Sequence, residues 1–173
     1  MKTLTTLLLV FLMGVTIAVA QGPKKPKAKS MKPVMAYEAE YSSKFSLADD
    51  TYTAMVLDLW KDFEENKLER HQDYFAEDLV MVLPDGEVLT GRDLIMKETS
   101  EYRKSVKDLQ SKILSYISLR SDDREENWVA VWGEDSYTDA RGETVKTDIH
   151  EIWRFNNEGK IDYMKQYAVV PKK

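Results

Sequence analysis

Apolar side chains in the first half of the chain recur at helical spacing. The stripe that one face of an amphipathic helix buries consists of Tyr52, Met55, Val56, Leu59, Trp60 and Phe63. Ser46 lies three residues before Asp49, which predicts a capping box at the start of this helix. A shorter second helix is predicted to carry Leu68, His71 and Phe75 on one face.

The next stretch of the chain alternates between a strand signal and a helix signal. Residues 79–83 form a continuous apolar run of strand length, and Pro84, Asp85 and Gly86 end it in a turn. Thr90 and Asp93 then predict a second capping box, which opens a helix that extends to about Lys104.

Beyond this helix the apolar period changes from helical to extended. Residues 113–120, 127–138, 144–155 and 160–169 are rich in Val, Ile, Trp and Tyr and predict four strands. The segments 121–126, 139–143 and 156–160 are suitable hairpin turns. Helices followed by an antiparallel meander predict an α+β fold, with N-terminal helices covering one face of a curved sheet.

Charge and hydropathy divide the chain into three parts. Residues 1–20 resemble an export signal, with Lys2, an apolar run and an Ala18-Val19-Ala20 cleavage site; an uncleaved anchor helix is the alternative. Residues 21–36 are rich in Lys and Pro and predict a disordered linker. Six of the 25 basic residues precede Tyr37, so residues 37–173 carry 19 basic against 30 acidic residues, a net charge of −11. We therefore expect no nucleic-acid partner.

Several kinds of chemistry lack the residues they require. The chain has no cysteine, which excludes disulfides, thiolate zinc sites and a cysteine nucleophile. It has two histidines, too few for a three-histidine zinc site, and no Gly-rich phosphate loop. The acidic run from Asp122 to Glu126 lacks the ligand spacing of a calcium loop. We expect neither a metal nor a cofactor.

Residues 66–93 and 151–168 together resemble the nuclear transport factor 2-like superfamily, in particular its SnoaL-like members. The resemblance covers residues 48–169 and implies a cone-shaped sheet. Aligned with a ketosteroid isomerase, the catalytic aspartate corresponds to Leu83 and the oxyanion-hole tyrosine to Leu59. The remaining oxyanion-hole acid corresponds to Glu151. Because leucine neither accepts nor donates a proton, steroid isomerase activity is not expected.

The same alignment implies an apolar pocket inside the cone. Its lining residues would be Leu59, Trp60, Met81, Leu83, Trp132, Glu134, Trp153, Met164 and Gln166, with Trp128 assigned inward as well. The alternative is a ligand-free core filled by large side chains. Glu151 is the candidate catalytic group, since a carboxyl facing an apolar cavity has a raised pKa. A glutamate that is paired with a cation or reaches solvent is the other interpretation. His150 is expected on the outer face.

Three functional hypotheses follow from these observations. The first is an exported domain that binds a small apolar or amphipathic molecule, secreted or periplasmic after cleavage at Ala20, with no stable membrane insertion. The second is a metal-independent lyase, isomerase or cyclase that uses Glu151. The third is a ligand-free interaction domain that forms a homodimer through the open sheet face.

Overall fold

A computed structural model describes residues 34–139 and 141–169. The chain divides into two units, Met1–Ala36 and Tyr37–Lys173. Of the first unit only residues 34–36 are described, and they are exposed. The predicted signal peptide and residues 21–33 of the predicted linker lie outside the described residues, so both stay predictions. Within the described residues no helix is long and apolar enough to cross a membrane.

The second unit contains two α-helices, one short 3-10 helix and a seven-stranded sheet within the described residues. The helices are α1 (Asp50–Glu65), the 3-10 helix (Leu68–Tyr74) and α2 (Arg92–Ser105). The strands are β1 (Phe45–Leu47), β2 (Phe75–Val82), β3 (Val88–Thr90), β4 (Lys107–Ser121), β5 (Glu126–Thr138), β6 (Thr144–Phe155) and β7 (Ile161–Val169).

The strands form one curled sheet in the order β1-β4-β5-β6-β7-β2-β3. Hairpins join β4 to β7 in sequence, and all their pairings are antiparallel. β2 pairs with β7 in parallel, because β2 arrives from the helical half of the chain rather than from a hairpin. The predicted α+β class is confirmed, and the parallel pair is a departure from the predicted all-antiparallel sheet.

The two predicted capping boxes are wrong. Asp49 is the N-cap of α1 and accepts a hydrogen bond from the Thr51 backbone N–H at 2.7 Å. Ser46 instead belongs to β1, where its extended backbone pairs with β4. Thr90 ends β3, and the N-cap of α2 is Gly91, which has a φ of 95° and no side-chain capping bond. Ser46 and Thr90 are strand residues in the structure, so neither of them caps a helix.

The predicted second helix is shorter than expected and irregular. It is a 3-10 helix with non-helical dihedrals at His71, and Phe75 begins β2 instead of continuing the helix. Leu68 is buried, whereas His71 keeps part of its ring exposed and lies 2.7 Å from the Asp62 carboxylate. Asp62 is itself buried in α1, so this contact provides a partner for an interior charge.

The two helices are joined by a buried arginine. Arg103 of α2 donates hydrogen bonds to the carbonyl oxygens of Phe63 and Glu64 at 2.6 and 2.7 Å, and to that of Val106 at 3.0 Å. The first two are among the last carbonyls of α1, where intrahelical donors run out, and that of Phe63 also accepts from the Asn66 backbone N–H at 3.1 Å. Arg103 therefore fixes α2 to the C-terminal end of α1, while Val56, Leu59 and Trp60 of α1 join the buried core that includes the inner face of the sheet.

Candidate functional site

Glu151 lies in the middle of β6 with its side chain inside the curled sheet. Burial alternates along this strand, and Ile149, Glu151, Trp153 and Phe155 are all buried. Glu151 is 5% exposed, although an isolated buried carboxylate is costly. The inward orientation predicted for Glu151 and Trp153 is therefore confirmed.

Three neutral donors hold the Glu151 carboxylate. The indole N–H groups of Trp60 and Trp153 both donate to Oε2, at 2.7 and 3.1 Å. The Gln166 amide donates to Oε1 at 2.7 Å. No lysine or arginine among the described residues forms an ion pair with Glu151. The interpretation of Glu151 as a cation-paired or solvent-reaching glutamate is wrong, because its partners are two tryptophans and an amide.

Burial raises the pKa of Glu151 from 4.5 to about 7. The hydrogen bonds from Gln166, Trp60 and Trp153 act in the opposite direction, because each N–H stabilises the ionised form. The negative charge of Asp135 raises the pKa further. A carboxyl with these properties exchanges its proton near neutral pH, which is the range a general acid or base requires.

Trp60 reaches Glu151 by packing closely against Gly133 of β5. A Cβ atom at position 133 would lie 2.6 and 2.8 Å from two ring carbons of Trp60, and 3.0 Å from the Lys112 carbonyl oxygen. These separations are shorter than non-bonded atoms tolerate. The glycine is thus required by the close approach of the indole ring, and this approach brings the ring N–H to Glu151.

Apolar side chains share the buried core with the two tryptophans that bind Glu151. Leu59, Met81 and Met164 are buried, and Leu83 is partly buried against the same core. The structure therefore brings together most of the residues predicted to line a pocket: Leu59, Trp60, Met81, Leu83, Trp153, Met164 and Gln166. Their role in binding a ligand stays a prediction.

Trp132 and Glu134 were predicted inside the cone, and this orientation is wrong. Glu151 lies opposite Val131, and Trp132 lies opposite His150 on the other face of the sheet. Val129 and Val131 are buried, whereas Trp132 is 39% exposed. Trp128 shares the outer face. Pairing of Thr138 with Thr144 across the turn 139–143 fixes this register.

The outer face carries a row of aromatic rings. His150 stacks between Trp132 and Tyr167, with ring centroids 4.7 and 5.8 Å apart. These residues lie directly opposite one another on three neighbouring strands. The outward orientation predicted for His150 is confirmed, and Nε2 of its ring is buried without a hydrogen-bond partner in the described part of the chain.

A second interior acid, Asp135, was not identified from the sequence. It lies on the same side of β5 as Val131 and Gly133, is 8% exposed and accepts a hydrogen bond from the Ser111 hydroxyl at 2.7 Å. Burial raises its pKa, and the charge of Arg103 partly offsets this effect. Correct register between β5 and β6 would have placed it on the Glu151 side.

Two surface clefts lie away from Glu151. One of about 450 Å³ lies at the start of α1, between Asp49 and Tyr116. The other, of about 730 Å³, lies between the start of β2 and the turn before β7, and both acidic and basic side chains line it. Within the described residues no three His, Asp or Glu side chains converge as a metal site requires. The interior at Glu151 is occupied by the protein's own indole rings.

The family model of the SnoaL-like domain matches residues 56–164, which include the second half of α1, most of the sheet and Glu151. The chain belongs to the SnoaL-like family. This confirms the resemblance found in the sequence. A comparison with curated proteins gives no match.

Solved structures of the same fold agree with the family assignment. SalBIII, an epoxide hydrolase/cyclase-like enzyme with a role in pyran ring formation in salinomycin, has a TM-score of 0.56 at 17% identity, covering 69% of this chain and 92% of its own. An uncharacterised protein with a cystatin-like fold from Caulobacter vibrioides has a TM-score of 0.57 at 19% identity, covering 70% of this chain and 89% of its own. A candidate polyketide cyclase from Xanthomonas campestris pv. campestris has a TM-score of 0.52 at 16% identity, covering 67% of this chain and 88% of its own. At these identities the likeness concerns the fold.

Proposed function

We propose that this SnoaL-like protein is exported and binds a small apolar or amphipathic molecule inside its sheet, with Glu151 as the polar anchor. The observation that supports the proposal is a buried carboxylate that three neutral N–H donors hold and that no cation among the described residues pairs with. A core that serves stability alone gains little from such a group, because apolar residues of similar volume pack at lower cost. Binding sites, in contrast, combine apolar walls with a few placed polar groups.

The ligand class follows from the lining. Leu59, Met81, Leu83 and Met164 offer aliphatic and thioether surface, which favours an apolar body. Glu151 offers one hydrogen-bonding position, which favours a single polar group on the ligand. The interior is filled in the described structure, so the ligand enters by displacing a side chain, and the partly exposed Leu83 and Gln166 are the nearest to solvent.

Native mass spectrometry of the protein purified from its own cell envelope tests this proposal. We expect a bound molecule of small mass in the wild-type protein and its loss in Glu151→Leu, which keeps an apolar interior but removes the anchor. Glu134→Leu is the matched control, because Glu134 lies on the outer face and should keep the ligand. Equal ligand retention in both variants would contradict the proposal.

A second candidate function is catalysis by Glu151 as a general acid or base, in a lyase, isomerase or cyclase that needs no metal. The pKa of about 7 favours it, since a proton-transfer group works best near the ambient pH. Leu59 and Leu83 occupy the positions of two isomerase catalytic groups, so steroid isomerisation is not proposed. Glu151→Gln keeps the shape of the side chain and separates catalysis from binding. Unchanged binding with lost turnover in the variant identifies an enzyme. Absent turnover in both the wild type and the variant identifies a binder.

We further propose that the outer sheet face forms a homodimer. Trp132 and Tyr167 are 39% and 47% exposed there, and Glu134 and Lys165 add charges of opposite sign that a twofold copy can pair. Sedimentation should show a dimer in the wild-type protein and a monomer in Tyr167→Lys. Val88→Lys, at an exposed position of β3, is the control. A monomeric wild-type protein at high concentration would argue against the dimer.

Export is the remaining part of the proposal. The mature chain is expected to begin at Gln21, since Ala18 and Ala20 supply the small residues that signal peptidase requires. N-terminal sequencing checks this, and Ala20→Arg should block processing. An intact Met1 in a membrane fraction would support the anchor helix instead.

A further inference from the structure

Gln166 is the outermost of the three side chains that bind the Glu151 carboxylate. It lies directly opposite Glu151 in the pairing of β6 with β7. Trp60 and Trp153 are 8% and 5% exposed, whereas Gln166 is only partly buried. Anything that approaches Glu151 from solvent along β7 therefore meets the Gln166 amide first.

The two carboxylate oxygens have different environments. Oε2 accepts both indole N–H groups, and an indole nitrogen can donate but never accept. A proton on Oε2 would therefore point at groups that cannot receive it. In the part of the chain that the structure describes, Oε1 accepts from the Gln166 amide, which can donate through Nε2 or, after turning over, accept through its carbonyl oxygen. The geometry requires that neutral Glu151 carry its proton on Oε1.

We propose that Gln166 is the positioning residue of the interior site: its amide binds Oε1 of Glu151 as a donor or an acceptor according to the charge on Glu151, and the ligand's polar atom replaces this amide at Oε1. The inference rests on the proposed binding function. The ionised site selects a ligand with a hydroxyl or N–H group, and the neutral site selects a carbonyl or ether oxygen. The ligand class is thus an apolar molecule with one such polar atom.

Within the described residues, α1, β5, β6 and β7 contribute the groups that act on the Glu151 carboxyl. β5 contributes Asp135, whose negative charge opposes ionisation of Glu151. α1 and β6 contribute Trp60 and Trp153, and β7 contributes Gln166, all of which are neutral. A pH titration of the site therefore reports the ionisation of Glu151. The variant Asp135→Asn removes the neighbouring charge and serves as a control.

The first experiment needs no ligand. The fluorescence of Trp60 and Trp153 should change as Glu151 ionises. The part of the pH-dependent signal that is lost in Glu151→Gln is the part that Glu151 causes. Gln166→Met keeps the length of the side chain but removes the N–H donor to Glu151. The midpoint of the fluorescence titration should therefore rise by about one pH unit. Gln110→Met, an exposed position on β4, should leave the midpoint unchanged. A midpoint that stays unchanged in Gln166→Met overturns the role of Gln166, whatever the binding assays show.

The second experiment compares 2-naphthol with its methyl ether, in which a methyl group replaces the donor hydrogen. At about pH 8.5, where Glu151 is ionised, calorimetry should give wild-type binding about tenfold tighter for 2-naphthol, the effect of one hydrogen bond to a charged acceptor. The preference should fall at about pH 5.5 as Glu151 becomes neutral. Equal affinities at the higher pH, or no heat with 2-naphthol, overturn the ligand class. A different molecule found by mass spectrometry would still support the proposed function.

Discussion

Replacing Glu151 by Gln should make the stability of the protein less sensitive to pH. Gln has the same shape and can accept both indole N–H groups through its carbonyl oxygen. Its own amide then faces Gln166, which can turn over to accept. The substitution thus removes the titrating proton while it retains the hydrogen bonds, so the difference between the two proteins isolates the charge.

The sign of the effect follows from proton binding in the two states. The pKa of Glu151 is about 7 in the folded protein and 4.5 in the reference state. Between these values the folded state holds the proton more tightly, so stability falls as pH rises. The interval of about 2.5 pH units, at about 1.4 kcal/mol per unit, amounts to about 3.5 kcal/mol. Above pH 7 the ionised acid should therefore cost the wild-type protein about this much relative to its stability below pH 4.5.

Urea unfolding at a series of pH values measures this difference. The stability of Glu151→Gln minus that of the wild type should increase by about 3 kcal/mol from pH 4.5 to pH 8, because other titrating groups cancel in the subtraction. Glu134→Gln, on the outer face, should show no such trend. A difference that is flat with pH would refute the buried, cation-free environment assigned to Glu151.

Three further predictions test the packing around the site. Gly133→Ala should destabilise the protein by about 1–3 kcal/mol because its Cβ would overlap the Trp60 ring. Adding Trp60→Phe to this variant should restore part of the lost stability, which urea unfolding measures. Trp153→Ala should cost about 3–5 kcal/mol whereas Trp132→Ala should cost less, so equal losses in thermal melts would contradict their assigned faces. Arg103→Met should lower stability by roughly 3 kcal/mol, since three hydrogen bonds from the guanidinium to carbonyl oxygens are lost. Unchanged denaturant midpoints would argue against this link between the helices.

The sequence by itself determined the order and type of most elements. The stripe from Tyr52 to Phe63 predicted α1, and four β-rich segments predicted β4 to β7, because apolar periodicity is a local property of the chain. The alternation of Glu151 with Trp153, and of Met164 with Gln166, also placed these residues correctly. Along β6 and β7 the family resemblance supplied the inward direction.

Tertiary structure decided which face each residue of β5 presents. Apolar side chains occupy both parities from Trp128 to Trp132, so alternation alone does not distinguish inside from outside. Pairing with β6 resolves this, since Val131 lies opposite Glu151 and therefore shares its face. The same register places Asp135 inside the sheet and stacks Trp132 on His150 outside it.

The environment of Glu151 also depends on contacts between distant segments. Trp60 lies 91 residues away from Glu151 along the chain, and its approach requires a glycine on a third element. The pKa of Glu151 follows from these contacts, because burial by α1 raises it and the N–H donors limit the rise. Local sequence encodes a buried strand with a glutamate in it, and only the folded arrangement sets the proton affinity of that glutamate.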